Sequence, residues 1–152
     1  MKISQCMKRN PISIPDTATI REAAQVFVQN HVGLLPVVDK DDRLLGVVGL
    51  RDMLALGLPD FVNFVTDVDF VHDFGAVETA LPPDNVLEQS IKTLAKHAIM
   101  VHEDSGLLRA YTLMRQQDLH DMPVVSEEGK LVGIASRVDI GTTILSAWIS
   151  VV

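Results

Sequence analysis

Apolar positions along this chain fall into two patterns, short continuous runs and helical spacing, and they recur in the same order twice. In the first half, residues 12–14 read as a short extended piece ended by Pro15. Thr19 and Glu22 have the spacing of a capping box, in which each side chain satisfies an orphan amide at a helix start. Ile20, Ala23, Ala24, Phe27 and Val28 fall on one face at helical spacing, which predicts an amphipathic helix buried on one side. Residues 35–38 and 44–50 are apolar runs rich in β-branched residues, parted by Asp39-Lys40-Asp41-Asp42-Arg43, and they predict a hairpin with a polar turn. A second helix is expected from about Arg51.

The second half repeats this grammar. Residues 99–101 predict a strand, and Leu107, Ala110, Tyr111 and Met114 mark a helix face. Strands are expected at 122–125 and 131–135, joined by Ser126-Glu127-Glu128-Gly129-Lys130. Laid over each other 87 positions apart without gaps, residues 12–52 and 99–139 share nine identities over 41 positions. Chance gives roughly two or three, so this is an internal repeat. The expected fold class is therefore mixed α+β or α/β, with two tandem β-α-β-β-α repeats related by a pseudo-two-fold axis. Ligand sites tend to lie in clefts between such units.

Residues 59–89 form an insert between the repeats. Its closely spaced Phe and Val residues are too interrupted by Asp for a core strand. The segment reads as an extension of the second helix plus a crossover packed on the repeats or on a partner chain. Pro82-Pro83 breaks any helix, and residues 85–96 are expected to be helical again with Val86, Ile91, Leu94 and Ala95 inward.

Composition fits one folding module over residues 1–152, with 47% apolar and 22% charged residues. A net charge of −7 disfavours a protein that grips nucleic-acid backbone. The single cysteine, Cys6, near a terminus expected to be mobile, permits neither an internal disulfide nor a multi-thiolate metal site. No apolar run approaches the roughly 18 residues of a membrane span, and the first residues lack a secretory signal's apolar stretch, so the chain reads as cytoplasmic. No P-loop, nucleophile elbow or Cys/His pairing is present, which argues against an enzyme. Asp67, Asp69, His72 and Asp73 read as a solvated acidic loop rather than a metal site, and His97 and His102 as surface or interface residues. The apolar residues 144–152 are expected to pack on the domain or against a second subunit, which points to a homodimer.

The repeated apolar-Pro-Val-Val strand, the polar turn, Leu-Leu-Gly-Val or Leu-Val-Gly-Ile, and an Asp six residues after the Gly resemble the CBS domain, named after cystathionine β-synthase. Two copies in tandem, over residues 7–58 and 90–147, resemble a CBS pair or Bateman module, here a stand-alone one. That resemblance implies a regulatory module binding an adenosine-containing ligand such as AMP, ADP, ATP or S-adenosylmethionine between the repeats, with no required cofactor, no nucleic acid or membrane as partner, and an unidentified regulated protein. The chemistry is sensible: a carboxylate after a strand, at a helix start, can accept both ribose hydroxyls through charge-assisted hydrogen bonds of roughly 1.5–3 kcal/mol each.

The resemblance also implies roles residue by residue. Gly133-Ile134-Ala135-Ser136-Arg137-Val138-Asp139 fits the family pattern fully, so Asp139 would hold the ribose, Ser136 and Arg137 would face phosphate, and His120, Met122 and Pro123 would lie near the base. The first copy keeps Gly46 and Asp52 but has Gly49 where the hydroxyl belongs, with Arg51 as a candidate counter-charge. The second cleft therefore ranks above the first. Structural roles compete throughout: Asp52 and Asp139 as first-turn acids of their helices, Arg137 as a surface ion pair, Gly46 and Gly133 as packing residues. A dimeric adaptor with vestigial clefts is the alternative function.

Overall fold

Each repeat builds a small sheet covered by helices, and each borrows a segment from the sequence preceding the other. The computed structural model describes residues 1–58 and 81–150. A 3-10 turn (Ile3–Gln5) and β1 (Lys8–Arg9) come first. The first repeat is β2 (Ile14–Pro15), α1 (Ile20–Asn30), β3 (Leu34–Val38), β4 (Leu44–Gly49) and α2 (Leu50–Leu54). After α3 (Asp84–Leu87) and a 3-10 turn (Ile91–Thr93), the second repeat is β5 (Val101–His102), α4 (Leu107–Gln116), β6 (Asp121–Val125), β7 (Leu131–Ser136) and α5 (Arg137–Ile149). The β-α-β-β-α order thus occurs twice, in two sheets ordered β1-β7-β6-β5 and β2-β3-β4.

The repeat extends to register. Leu34 faces Gly49 in one hairpin and Asp121 faces Ser136 in the other. Both hairpins shift register at the same place, between Val37 and Val38 and between Val124 and Val125. Their turns meet across the pseudo-two-fold: the Leu44 amide donates to the Gly129 carbonyl at 3.1 Å and the Leu131 amide to the Asp42 carbonyl at 2.9 Å.

The exchanged segments are the feature that positions the clefts. Ile3 and Met7 are buried in the core of the second repeat with Val101, Met114, Met122 and Ile140. Ile91 is buried in the core of the first, with Ile20, Phe27, Leu35 and Val48. β1 pairs with β7, Lys8 opposite Ile134 and Arg9 opposite Gly133. Lys96 bridges Val47 in the same sense. Such close approach requires the two glycines: a Cβ on Gly133 would lie 2.5 Å from Met7 Sδ, and one on Gly46 would lie 2.7 Å from the Lys96 carbonyl oxygen. The packing role expected of both glycines is the one they have.

Several details differ from the sequence expectation. Residues 85–96 are not one helix: the Ile20 amide donates to Gln89 and the Ile91 amide to Ala18, which pins the chain to the first repeat and ends α3 after one turn. Val28 is 73% exposed because the buried stripe on α1 is narrower, Ile20, Ala23 and Phe27 alone. The Thr19 hydroxyl accepts from the Glu22 amide as expected, but Glu22 receives the Thr19 hydroxyl rather than an amide. Pro15 lies within edge strand β2, where a missing donor is tolerated, instead of ending the extended piece before it. The segment around Cys6 is woven into the second core rather than loose, and Cys6 is half-buried. The insert's Asp67, Asp69, His72 and Asp73 lie outside the described residues.

Candidate functional site

The second-copy cleft is built where β7 runs into α5. Ser136, in extended conformation, caps the helix: its hydroxyl accepts from the Asp139 amide at 3.0 Å, and Asp139 Oδ2 accepts from the Ser136 amide at 2.9 Å. The first-turn structural role of Asp139 is therefore realised. Among the described residues, its other carboxylate oxygen, Oδ1, makes no hydrogen bond or ion pair. Side chains alternate along β7, so Val132, Ile134 and Ser136 share its half-buried face while Gly133 and Ala135 face the core. At the far end of that face Val132 borders a cavity of about 470 Å³, shared with Arg9, Asn10, Ser13 and Asp42. Val132 lies four residue steps from Ser136, roughly 13 Å of strand.

The first-copy cleft uses the same frame differently. Gly49 caps α2 with the same extended backbone as Ser136 but offers no hydroxyl, and Asp52 Oδ2 accepts from its amide at 2.9 Å. The second Asp52 oxygen is taken by Lys96, whose ammonium lies 2.5 Å away. Arg51 is exposed and forms no ion pair among the described residues.

The remaining expected site residues divide. Arg137 Nε donates to the Leu119 carbonyl and its Nη2 lies 3.0 Å from the Asp118 carboxylate, so its guanidinium is committed to the turn before β6. His120 is exposed beside that turn and its carbonyl accepts the Arg137 amide at 3.0 Å. Met122 is fully buried in the second core and Pro123 is buried in the middle of β6, because their strand faces away from water on both sides. Burial pushes the Asp121 carboxyl up; Lys8 and His120 pull it down, and the Asp139 charge raises it. Burial likewise raises the Cys6 thiol, with Asp139 adding to it and Thr143 opposing. Asp121, Lys8 and Cys6 thus join Asp139 in one neighbourhood.

Sequence reasoning missed these three residues and Lys96. The signal was present: Ile3 and Lys8 match Ile91 and Lys96, but 88 positions apart rather than 87, so an ungapped comparison starting at Ile12 stops short of them.

A larger groove of about 610 Å³ lies elsewhere, between α1 and α2, and is lined mainly by apolar residues such as Phe27, Val28, Met53, Leu54 and Leu87. Its polar side chains are Arg21, Gln25 and Gln29, and no carboxylate lines it. Among the described residues no cluster of His, Cys, Asp and Glu is arranged to hold a metal, and no helix is long and apolar enough to cross a membrane.

Two sheet-and-helix repeats with exchanged segments, each carrying an Asp at its strand-to-helix junction, define a tandem-repeat module. The chain belongs to the CBS-domain family: the family model matches residues 3–58 and 82–145. It is 31% identical over 131 residues to the chloroplastic CBS domain-containing protein CBSX1 of Arabidopsis thaliana, covering 82% of this chain and 55% of that protein. The chain therefore spans about half the length of that relative. Its fold is similar to that of CBSX2 in complex with AMP, with TM-score 0.73 and 23% identity over 97% of this chain and 98% of that one. It is also similar to the CBS domain pair of MJ0100 in complex with 5'-methylthioadenosine and S-adenosyl-L-methionine, with TM-score 0.68 and 20% identity over 97% and 98% of the two chains.

Proposed function

We propose that this chain is a ligand-sensing regulatory module rather than an enzyme, and that it binds an adenosine-containing ligand, AMP, ADP, ATP or S-adenosylmethionine, in the cleft of its second repeat. The observation that carries this reading is the outer oxygen of Asp139, unpaired among the described residues, beside the Ser136 hydroxyl. It stands at one end of a half-buried strand face whose other end opens on a cavity. A ribose held by Asp139 would leave its base to lie along Ile134 toward Val132 and its 5' group near the start of α5, a 13-residue helix whose amides favour anions. Ser136, Lys8 and His120 are the groups that would meet that substituent. Arg137 could join them only by leaving both the Leu119 carbonyl and the exposed Asp118. Met122 and Pro123 contribute through backbone position. The AMP and S-adenosylmethionine complexes of the similar folds support the ligand class.

The first cleft ranks second, because Lys96 holds the Asp52 oxygen that a ribose would need. Ligand binding across both repeats would shift their arrangement and, through differential affinity for the two states, alter a partner protein. A cytoplasmic homodimer is part of this reading, with Trp148 and Ile149, 73% and 80% exposed on α5, as contacts to a second copy.

The adaptor reading draws on the same asymmetry: Asp52 closed by Lys96 and Arg137 turned to Asp118 are what idle clefts would look like. A thermal-shift panel of the purified chain with AMP, ADP, ATP and S-adenosylmethionine separates the two. A ligand at about 100 times its Kd adds roughly 2.7 kcal/mol and raises Tm by several degrees. No shift at millimolar concentration would favour the adaptor.

A further inference from the structure

The two exchanged segments deliver one lysine to each cleft, at equivalent places: Lys8 opposite Ile134 and Lys96 bridging Val47. The two lysines are used differently. Lys96 closes on Asp52 at 2.5 Å, whereas Lys8 is within 4 Å of no carboxylate among the described residues. The hairpins facing them match in register, although Lys8 lies in a two-residue strand and Lys96 at an isolated bridge, and the side chains around them differ as well. One substitution between the copies supplies a cause. Where β6 opens with Asp121 opposite Ser136, β3 opens with Leu34 opposite Gly49. The second cleft therefore has two carboxylates competing for its lysine, and the first has one.

Asp121 sits well for that competition. It is half-buried at the mouth of its strand, and its Oδ2 lies 3.9 Å from where a Cβ on Gly33 would stand, so it projects across the cleft toward the first repeat. The charges acting on it are Lys8, His120 and Asp139, in that order of strength. Lys8 thus acts on Asp121 without forming an ion pair with it or with Asp139 among the described residues, while Asp139 is tied down on one side only, by the Ser136 amide.

We propose that Asp121 is a positioning residue that draws the Lys8 ammonium away from Asp139 and so keeps that carboxylate open to a ribose, whereas Leu34 leaves Lys96 to close on Asp52. The ribose part rests on the function proposed above; the electrostatic part does not. Two consequences follow from one residue: the second cleft is the open one, and Lys8 remains available for a ligand's 5' substituent.

The test is a double-mutant cycle on the full chain with Asp121→Leu, which recreates the first copy, and Lys8→Met, followed in two ways. The first needs no ligand: the chemical-shift change of the Asp139 carboxyl carbon on Lys8→Met, read by NMR at about pH 7. That change is expected to be severalfold larger when residue 121 is Leu than when Asp121 is present, as expected of a newly formed ion pair. Equal effects in both backgrounds would overturn the proposal, including any explanation through altered packing alone. The second is affinity for adenosine, which carries the ribose but no 5' anion for Lys8 to meet, at about pH 8. Asp121→Leu is expected to weaken it about tenfold, and adding Lys8→Met is expected to restore it to within about threefold of the parent. A loss that Lys8→Met does not restore would overturn the positioning role. If the parent binds no adenosine ligand while the NMR cycle shows the coupling, the binding function fails and the electrostatic device stands.

Discussion

Lys96 and Asp52 form an ion pair at 2.5 Å, yet the residues that occupy the same two places in the other repeat, Lys8 and Asp139, do not. The first cleft is in this sense filled by the chain itself. Lys96 is 70% exposed on its side chain, so the pair adds little to stability. Lys96→Met is therefore expected to change Tm by no more than a few degrees in a melting experiment. A large drop would show that the pair is a structural clamp rather than an occupant of the cleft.

Exchange of the leading segments couples each repeat to sequence far from it. Ile3 is fully buried in the second core, so Ile3→Ala is expected to cost about 2–5 kcal/mol. Hydrogen exchange would then quicken first in β5, β6 and β7 rather than in β2 and β3, which are nearer in sequence. Loss of protection confined to residues beside Ile3 would contradict the exchange.

Ser136 and Gly49 cap equivalent helices with the same backbone but different chemistry. Ser136→Ala removes the hydroxyl that receives the Asp139 amide and is expected to cost about 1 kcal/mol, while Ser136→Gly, imitating the first copy, is expected to cost a few tenths. Chemical denaturation distinguishes the two. Equal losses would mean that the cap is not what Ser136 contributes to the fold.

Asp121 gives a pH signature of known sign. Burial raises its carboxyl above the ordinary range, so its contribution to stability is complete below that range and is lost as pH rises through its folded value. Asp121→Asn removes the loss. The variant is expected to match the parent near pH 3 and to be the more stable of the two at about pH 7. Melting curves across that interval check it; a variant less stable at neutral pH would assign Asp121 a favourable ion pair instead.

Much of this architecture was legible in the residues. The apolar runs at 35–38 and 122–125, the Thr19 cap and the Leu107, Ala110 and Met114 stripe are local signals, and each produced its element. Asp139 was readable as a first-turn acid of its helix, whereas Ser136 was singled out only through the family pattern, and the structure joins the two in a capping box. What escaped was non-local. Which repeat Ile3 and Ile91 would join is decided by packing, and the single-residue change of offset hid their equivalence. The ion pair of Lys96 with Asp52 spans 44 positions, and the tie of Arg137 to Asp118 depends on a turn with left-handed backbone at Asp118. Neither leaves a mark in local patterning.

The most direct test of the central claim is isothermal titration of the chain with AMP and S-adenosylmethionine, beside Asp139→Ala and Asp52→Ala. The account expects one of these ligands to bind with one tight site per chain, the site to vanish in Asp139→Ala, and Asp52→Ala to leave it within about twofold. Absence of heat at millimolar ligand, or tight binding that survives Asp139→Ala, would contradict it.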